Sequence, residues 1–156
     1  LRMEEKRYLH QKDALILAMK TLKESVKSFR EQNLDTLTDT TQNFFNELVP
    51  ENSYTIHFDE HFNPELDCKG MPVTTEQLSS GTFDQLYFAY RLALSELLMP
   101  DLSFPFIMDD ALVHCDEART RQIFEVLQRL KNSRQILVFS SRKDYAPFCD
   151  YVISLE

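Results

Sequence analysis

The chain has 156 residues, 43% of them hydrophobic and 27% charged, and a formal net charge of −8. This is ordinary globular composition, and the acidity argues against a broad nucleic-acid footprint on this segment, though not against a local basic patch. No apolar run approaches the roughly 18 residues of a membrane span, and Leu1–Lys6 lacks the apolar core of a signal peptide. The first residue is not methionine, so the chain reads as a fragment of something longer. Cys68, Cys115 and Cys149 are odd in number and never in C-x-x-C spacing, which points to free thiols in a reducing compartment.

Residues 1–49 contain neither Gly nor Pro, and Pro50 divides the chain. Leu15, Met19, Leu22, Val26 and Phe29 step by four, three, four and three, with Tyr8 one heptad before Leu15, which is a coiled-coil seam. After Phe29 the phase changes to a stripe of Leu34, Leu37, Thr41, Phe44 and Leu48. An amphipathic helix packed on its own domain is the plainer reading. The narrow seam with charged flanks (Lys23, Glu24, Lys27, Arg30) favours a coiled-coil arm whose last turns become a domain helix.

Beyond Pro50, Tyr54, Ile56 and Phe58 alternate with polar residues, Asn63-Pro64 marks a turn, and residues 65–69 pair back before Gly70 reverses the chain into Met71-Pro72-Val73. The result is a small antiparallel meander. His57 and His61 flank Asp59 and Glu60, but at a strand's end this makes an incomplete metal-ligand set.

Chemistry begins at Leu78-Ser79-Ser80-Gly81-Thr82. Small residues at a helix front let backbone amides approach an anion, and the helix dipole adds about half a positive charge. Thr82 to Gln85 reads as a capping box. The helix behind it, with Leu86, Phe88, Ala89, Leu92, Ala93, Leu94 and Leu97, is apolar nearly all round, is expected to be buried, and is stopped by Pro100. An ordinary capped helix would explain Thr82, yet not the two serines and one of only two glycines before it.

Phe104 to Met108 is an apolar run that suits a central parallel strand covered on both faces, ending in Asp109 and Asp110. Adjacent carboxylates at such a strand's end repel one another unless a cation or proton intervenes, and magnesium resolves the conflict. After Asp116 come an amphipathic helix (Ile123, Phe124, Val126, Leu127, Leu130), a strand at 135–140, a polar turn at Ser141-Arg142-Lys143-Asp144 and a last strand at 151–155. Strands alternating with helices imply an α/β fold. A P-loop of the G-x-x-x-x-G-K-[ST] type is impossible with only Gly70 and Gly81, so the chain holds half of an ATP site.

Taken in order, these motifs resemble the C-terminal lobe of ABC-type ATPase heads, above all the SMC-like DNA-repair ATPases of the SbcC and YhaN kind. The residues that carry the resemblance are Leu78 to Thr82, Gln85-Leu86-Tyr87, Arg91-Leu92-Ala93-Leu94 and Ile107 to Val113. It covers nearly the whole chain and implies an α/β half-head, a parallel-sheet lobe with a small antiparallel meander, entered by a long coiled-coil helix. Residues 1–49 would form the arm and the helix leading into the head, and residues 50–156 the lobe. The resemblance makes Leu78, Ser79, Ser80, Gly81 and Thr82 the ABC signature, acting in trans on nucleotide held by an opposing head. Asp109 becomes the Walker B acid that holds magnesium through water, Asp110 the catalytic acid and Asp116 the D-loop acid. Most ABC heads have glutamate where Asp110 stands. The family's switch histidine is absent, because Ser141 and Arg142 follow the strand, and Arg142 is then the candidate replacement.

The resemblance further implies an ATP hydrolase using ATP and magnesium. It would be completed by an N-terminal P-loop lobe of the same protein and by a second head in a homodimer. Head closure would act through the coiled coils on a nuclease subunit and DNA, in double-strand break repair. No membrane partner is implied, and the location would be cytoplasmic, nucleoid-associated if bacterial. The isolated chain should be inactive. Two alternatives stay open: a degenerate, non-catalytic docking module, and an ABC-transporter nucleotide-binding domain. The latter should carry a helical subdomain before the signature, where this chain has a long helix and a meander.

Overall fold

The structure, a computed structural model, describes residues 2–51, 53–59, 61–99 and 104–154, with side chains from residue 6 onward. It divides into two compact units, Leu1–Thr36 and Leu37–Glu156. The first helix, α1, covers Arg2–Leu48.

Within the first unit the expected seam is solvent-facing. Tyr8, Leu15, Met19, Leu22, Val26 and Phe29 are all exposed, Tyr8 the most at 72%. Apolar side chains exposed at coiled-coil spacing need a second helix to cover them. Among the described residues none does.

In the second unit the end of α1 behaves differently. Leu37, Thr41, Phe45 and Leu48 are fully buried, whereas Phe44, expected in that stripe, is only half-buried. The buried face runs through the adjacent Phe45, whose ring lies 6.4 Å from that of Tyr54. Gln42 joins the helix to the meander, donating to the Tyr54 carbonyl and accepting from the Ile56 amide at 2.8 Å.

The meander is as expected: β1 (Tyr54–Phe58), β2 (Pro64–Cys68) and β3 (Met71–Val73) pair antiparallel in that order. Its inward residues, Ile56, Phe58 and Leu66, alternate with exposed ones. Asp59 accepts from the His61 and Asn63 amides and from the Asn63 side chain, and these bonds lower its pKa, the Asn63 side chain most. It therefore builds a turn rather than a metal site. Glu60 lies outside the described residues, among which no group of three or more metal-ligating side chains exists.

A short 3₁₀ turn, Thr75–Gln77, leads into α2, Ser80–Leu98. One face of α2 is buried, through Gln85, Leu86, Phe88, Ala89, Leu92 and Ala93. The other exposes Phe83, Tyr87 and Leu98. The expectation of a helix buried all round is thus corrected, because only one layer of this unit packs against it. Pro100, expected to stop the helix, lies outside the described residues.

The sheet that positions the carboxylates is β4 (Phe106–Asp109) paired in parallel with β5 (Ile136–Phe139), with α3 (Glu117–Leu130) between them in sequence. This is a β-α-β unit, whose parallel strands need a helical crossover. Phe106 and Met108 are buried while Ile107 is exposed. So β4 is covered on one face, not on both as its apolar run predicted, since the two-stranded sheet receives a layer from this chain on one side only. A further departure from expectation is at the end: Tyr151–Ser154 form no strand, and Leu155 lies outside the described residues. Tyr151 and Ile153 are almost wholly exposed, as befits a would-be strand with no ladder to join. Among the described residues no helix is long and apolar enough to cross a membrane.

Candidate functional site

Two structural ends carry the residues of interest. At the first, the β4–β5 ladder continues one residue past β4, with the Asp110 amide donating to the Phe139 carbonyl at 2.9 Å. The chain then turns sharply, since Asp110 has a φ of 43°. Aspartate is among the few non-glycine residues that enter this left-handed region at modest cost. Its Oδ1 accepts from the Ser140 hydroxyl at 3.1 Å and from the Ser141 amide at 3.3 Å. Asp109 ends β4, is exposed, and has no side-chain partner among the described residues.

The loop after β5 is tied down by Arg142. Its guanidinium donates to both Asp144 oxygens at 3.1 and 2.5 Å, donates to the Cys115 carbonyl at 3.4 Å, and lies 4.8 Å from the centre of the Tyr145 ring. These bonds hold Asp144 below the ordinary carboxylate range and raise the arginine further. Tyr145 is buried and donates to the Leu112 carbonyl. Arg142 thus ties the loop to the segment between β4 and α3, with its cationic head already engaged. Within that segment the Cys115 thiol is buried, and burial pushes its pKa up to about 11.

At the second end, Leu78 is half-buried and Ser79 caps α2. The Ser79 hydroxyl accepts from the Thr82 amide at 3.2 Å and shares a bond with the Thr82 hydroxyl at 2.8 Å. The expected Thr82–Gln85 box is therefore corrected: the cap lies three residues earlier. Gln85 points inward instead and donates to the Leu48 carbonyl at 2.7 Å, one of the helix-end carbonyls α1 leaves open. A reciprocal bond of that kind occurs upstream, where Gln77 accepts from the Thr74 amide at 2.9 Å. Ser80 opens the helix, exposed, and Thr82 is half-buried.

Gly81 is buried beneath Arg119: a Cβ there would lie 2.3 Å from the Arg119 Nη1. That approach, not a special φ, is what glycine permits here. Arg119 belongs to the first turn of α3, which Asp116 caps by accepting from the Arg119 amide at 2.9 Å. The Arg119 guanidinium also reaches Asp116, at 3.6 Å. A second tie joins the same pieces, His114 Nδ1 to Asp84 Oδ2 at 3.1 Å. So the front of α2 (Gly81, Asp84) and the segment after β4 (His114, Asp116, Arg119) form one cluster. Asp110 is joined to Ser140 and Ser141. Sequence reading missed Ser140, His114 and Arg119. Only Ser140 had a signal, a hydroxyl directly after an apolar strand.

No protein-family model matches the sequence. Over 127 residues, 80% of this chain, it is 32% identical to an uncharacterized protein, YhaN of Bacillus subtilis. Over 80 residues, 51% of the chain, it is 35% identical to a DNA double-strand break repair Rad50 ATPase of Saccharolobus solfataricus. The chain spans only 13% and 9% of the lengths of these relatives. Among solved structures it resembles one from a study of ATP-driven dimerization and DNA-stimulated activation of SMC ATPases, with a TM-score of 0.68 at 14% identity, covering 83% of this chain and 82% of that one. It also resembles the Pyrococcus furiosus Smc head with an extended coiled coil, solved bound to the C-terminal domain of ScpA, with a TM-score of 0.64 at 14% identity, covering 96% of this chain and 39% of that one. The resemblance drawn from the sequence is borne out, and the α/β fold is that of SMC heads.

Proposed function

We propose that this fragment of an SMC-like ABC-type ATPase head is the C-terminal half of an ATP-hydrolysing unit, completed by a P-loop lobe of the same protein and by a second head. The observation that carries the reading is the end of β4, where one carboxylate is free and exposed and its neighbour is held in a fixed pose by the loop after β5. Two such oxygen donors suit magnesium, which keeps several of its waters and takes one or two carboxylates. Asp109, lacking any competing partner, would hold it through water, and the ion would neutralise charge on the phosphates. Asp110 offers its second oxygen to orient the attacking water. At the front of α2, Ser79 would offer a neutral donor to phosphate on an opposing head, the Gly81 amide would join it once the Arg119 guanidinium over Gly81 moves aside, and Asp116 sits beside them as the cap of α3.

The surroundings support the missing parts. Ile107 and Phe139, each 49% exposed, give the uncovered side of the sheet an apolar surface for a P-loop lobe. The exposed seam of the first unit suits a returning coiled-coil strand. Residues 1–49 are accordingly read as the arm and the helix leading into the head, and residues 50–156 as the lobe. Work on DNA double-strand breaks with a nuclease subunit rests on the Rad50 relationship and the family resemblance, as does a cytoplasmic location. The engagement of Arg142 favours one second reading, a head that lacks a phosphate sensor and serves only for docking.

The test is a mixed dimer of full-length proteins. Ser79→Arg should block ATP-driven head association while leaving nucleotide binding to one head intact. Mixed with a head lacking its P-loop lysine, it should restore hydrolysis to at most about half, from the one intact composite site. A Ser79→Arg homodimer that still closes on ATP sinks the trans assignment, and a wild-type protein without turnover leaves the docking role.

A further inference from the structure

We infer that Ser140 is a positioning residue for Asp110, acting as a hydrogen-bond relay from the loop after β5; this rests on the ATPase reading above. The geometry fixes the direction of the relay. The Arg142 amide donates to the Ser140 oxygen at 3.1 Å, so the hydroxyl's own proton is directed to Asp110 Oδ1, also at 3.1 Å. The Ser141 amide converges on the same oxygen at 3.3 Å. Oδ1 is therefore saturated by two donors, while Oδ2 has no partner among the described residues. A carboxylate with one oxygen clamped and the other open points its free lone pairs in a single direction, as a water-orienting group must. Backbone and side chain are held by the same loop, because the Asp110 amide bonds to Phe139.

This also gives Arg142 a different part from that of a free cation reaching for phosphate. Its guanidinium is occupied by Asp144, the Tyr145 ring and the Cys115 carbonyl. What it lends to the carboxylate is its backbone amide, passed through Ser140. The loop after β5 thus takes part through two main-chain N–H groups and one hydroxyl.

Steady-state ATP hydrolysis by the full-length protein tests the relay. Ser140→Ala should lower kcat about tenfold, the loss expected for one hydrogen bond to a charged group, with KM unchanged. Ser140→Thr and Ser140→Val form a matched pair of equal shape. The first should stay near the wild-type rate and the second should fall with Ser140→Ala, even if alanine loosens the loop. In an Asp110→Asn background, Ser140→Ala should cost nothing further, since the two act as one unit. Wild-type kcat in Ser140→Ala, equal rates for the threonine and valine variants, or an undiminished further loss in the double variant would each overturn the relay. Those results leave the ATPase reading standing if Asp110→Asn alone is severely impaired. Wild-type turnover in Asp110→Asn would instead move the catalytic role away from Asp110 and remove the relay with it, whereas a wild-type protein without turnover would remove the ATPase reading itself.

Discussion

The carboxylate end of β4 and the front of α2 are both polar ends of buried elements, yet they use their hydrogen bonds in opposite ways. At β4 the groups are carboxylates, and one of them, Asp110, is held from outside, by Ser140 and Ser141 on the neighbouring strand's loop. At α2 they are neutral and bond to one another, Ser79 to Thr82. The first end stores negative charge in a fixed geometry and adds nothing obvious to stability. The second is a helix cap in the resting chain, and its hydroxyls become available to a ligand only by exchanging an internal bond for an external one. Function and stability should therefore separate between the two ends.

The largest expected effect breaks the carboxylate end. In the full-length protein Asp110→Asn should lower turnover by about 10²-fold or more, about 3 kcal/mol of barrier, and keep ATP binding and head association. Asparagine also tolerates a positive φ, so the melting temperature should barely move. A large loss of stability would mean that Asp110 holds the fold rather than the water.

The opposite pattern is expected at α2. Ser79→Ala removes the cap from the Thr82 amide and should cost about 1 kcal/mol of stability, measured by denaturant unfolding, while Ser79→Asp or Ser79→Asn should recover most of it. An unchanged midpoint in Ser79→Ala would show that Thr82 or solvent replaces the cap.

A smaller effect sharpens the tie between α2 and α3. Gly81→Ala gains helix propensity but must displace the Arg119 guanidinium, whose Nη1 would lie 2.3 Å from the new Cβ. In an Arg119→Ala background the same change should be more favourable by about 1 kcal/mol. Additive effects would mean that the arginine yields freely.

The smallest effect is set by pH. Burial holds the Cys115 pKa near 11, above its ordinary value near 9. A group whose pKa is raised by folding binds its proton more tightly in the native state. Its contribution is thus complete below about pH 9 and is lost as pH rises towards 11. Cys115 should accordingly resist alkylation at pH 8 while the half-buried Cys68 reacts, with peptide mapping as the readout. Early labelling of Cys115 would indicate that the segment between β4 and α3 opens readily.

Much of this was legible along the chain because it depends on local periodicity. The meander, the helix from Glu117 and the strand after it follow from spacing alone. The clustering of Ser79 to Thr82 and of Asp109-Asp110 at element ends follows from composition. The errors share a cause. Phe104–Met108 and the helix from Ser80 are apolar enough to be buried on all sides, and each is buried on one, because hydrophobicity records what a surface requires and not which chain supplies it. The strand expected at 151–155 is missing over its described residues, 151–154, for the same reason, since a strand exists only when another lies beside it.

The sequence by itself therefore determined the helices, the meander and the β4–β5 strands, since these are matters of neighbours within a few positions. Only the tertiary structure decided that Ser79 rather than Thr82 caps α2, that Ser140 and Ser141 grip Asp110, and that Arg119 lies over Gly81. The last two bring together residues some 30 to 40 positions apart, and no local pattern encodes the register of a parallel sheet or the crossing of two helices. The choice between Ser79 and Thr82, both sound caps by type, was settled by packing. With Gln85 turned inward to the Leu48 carbonyl, its side chain is not free to complete a box with Thr82.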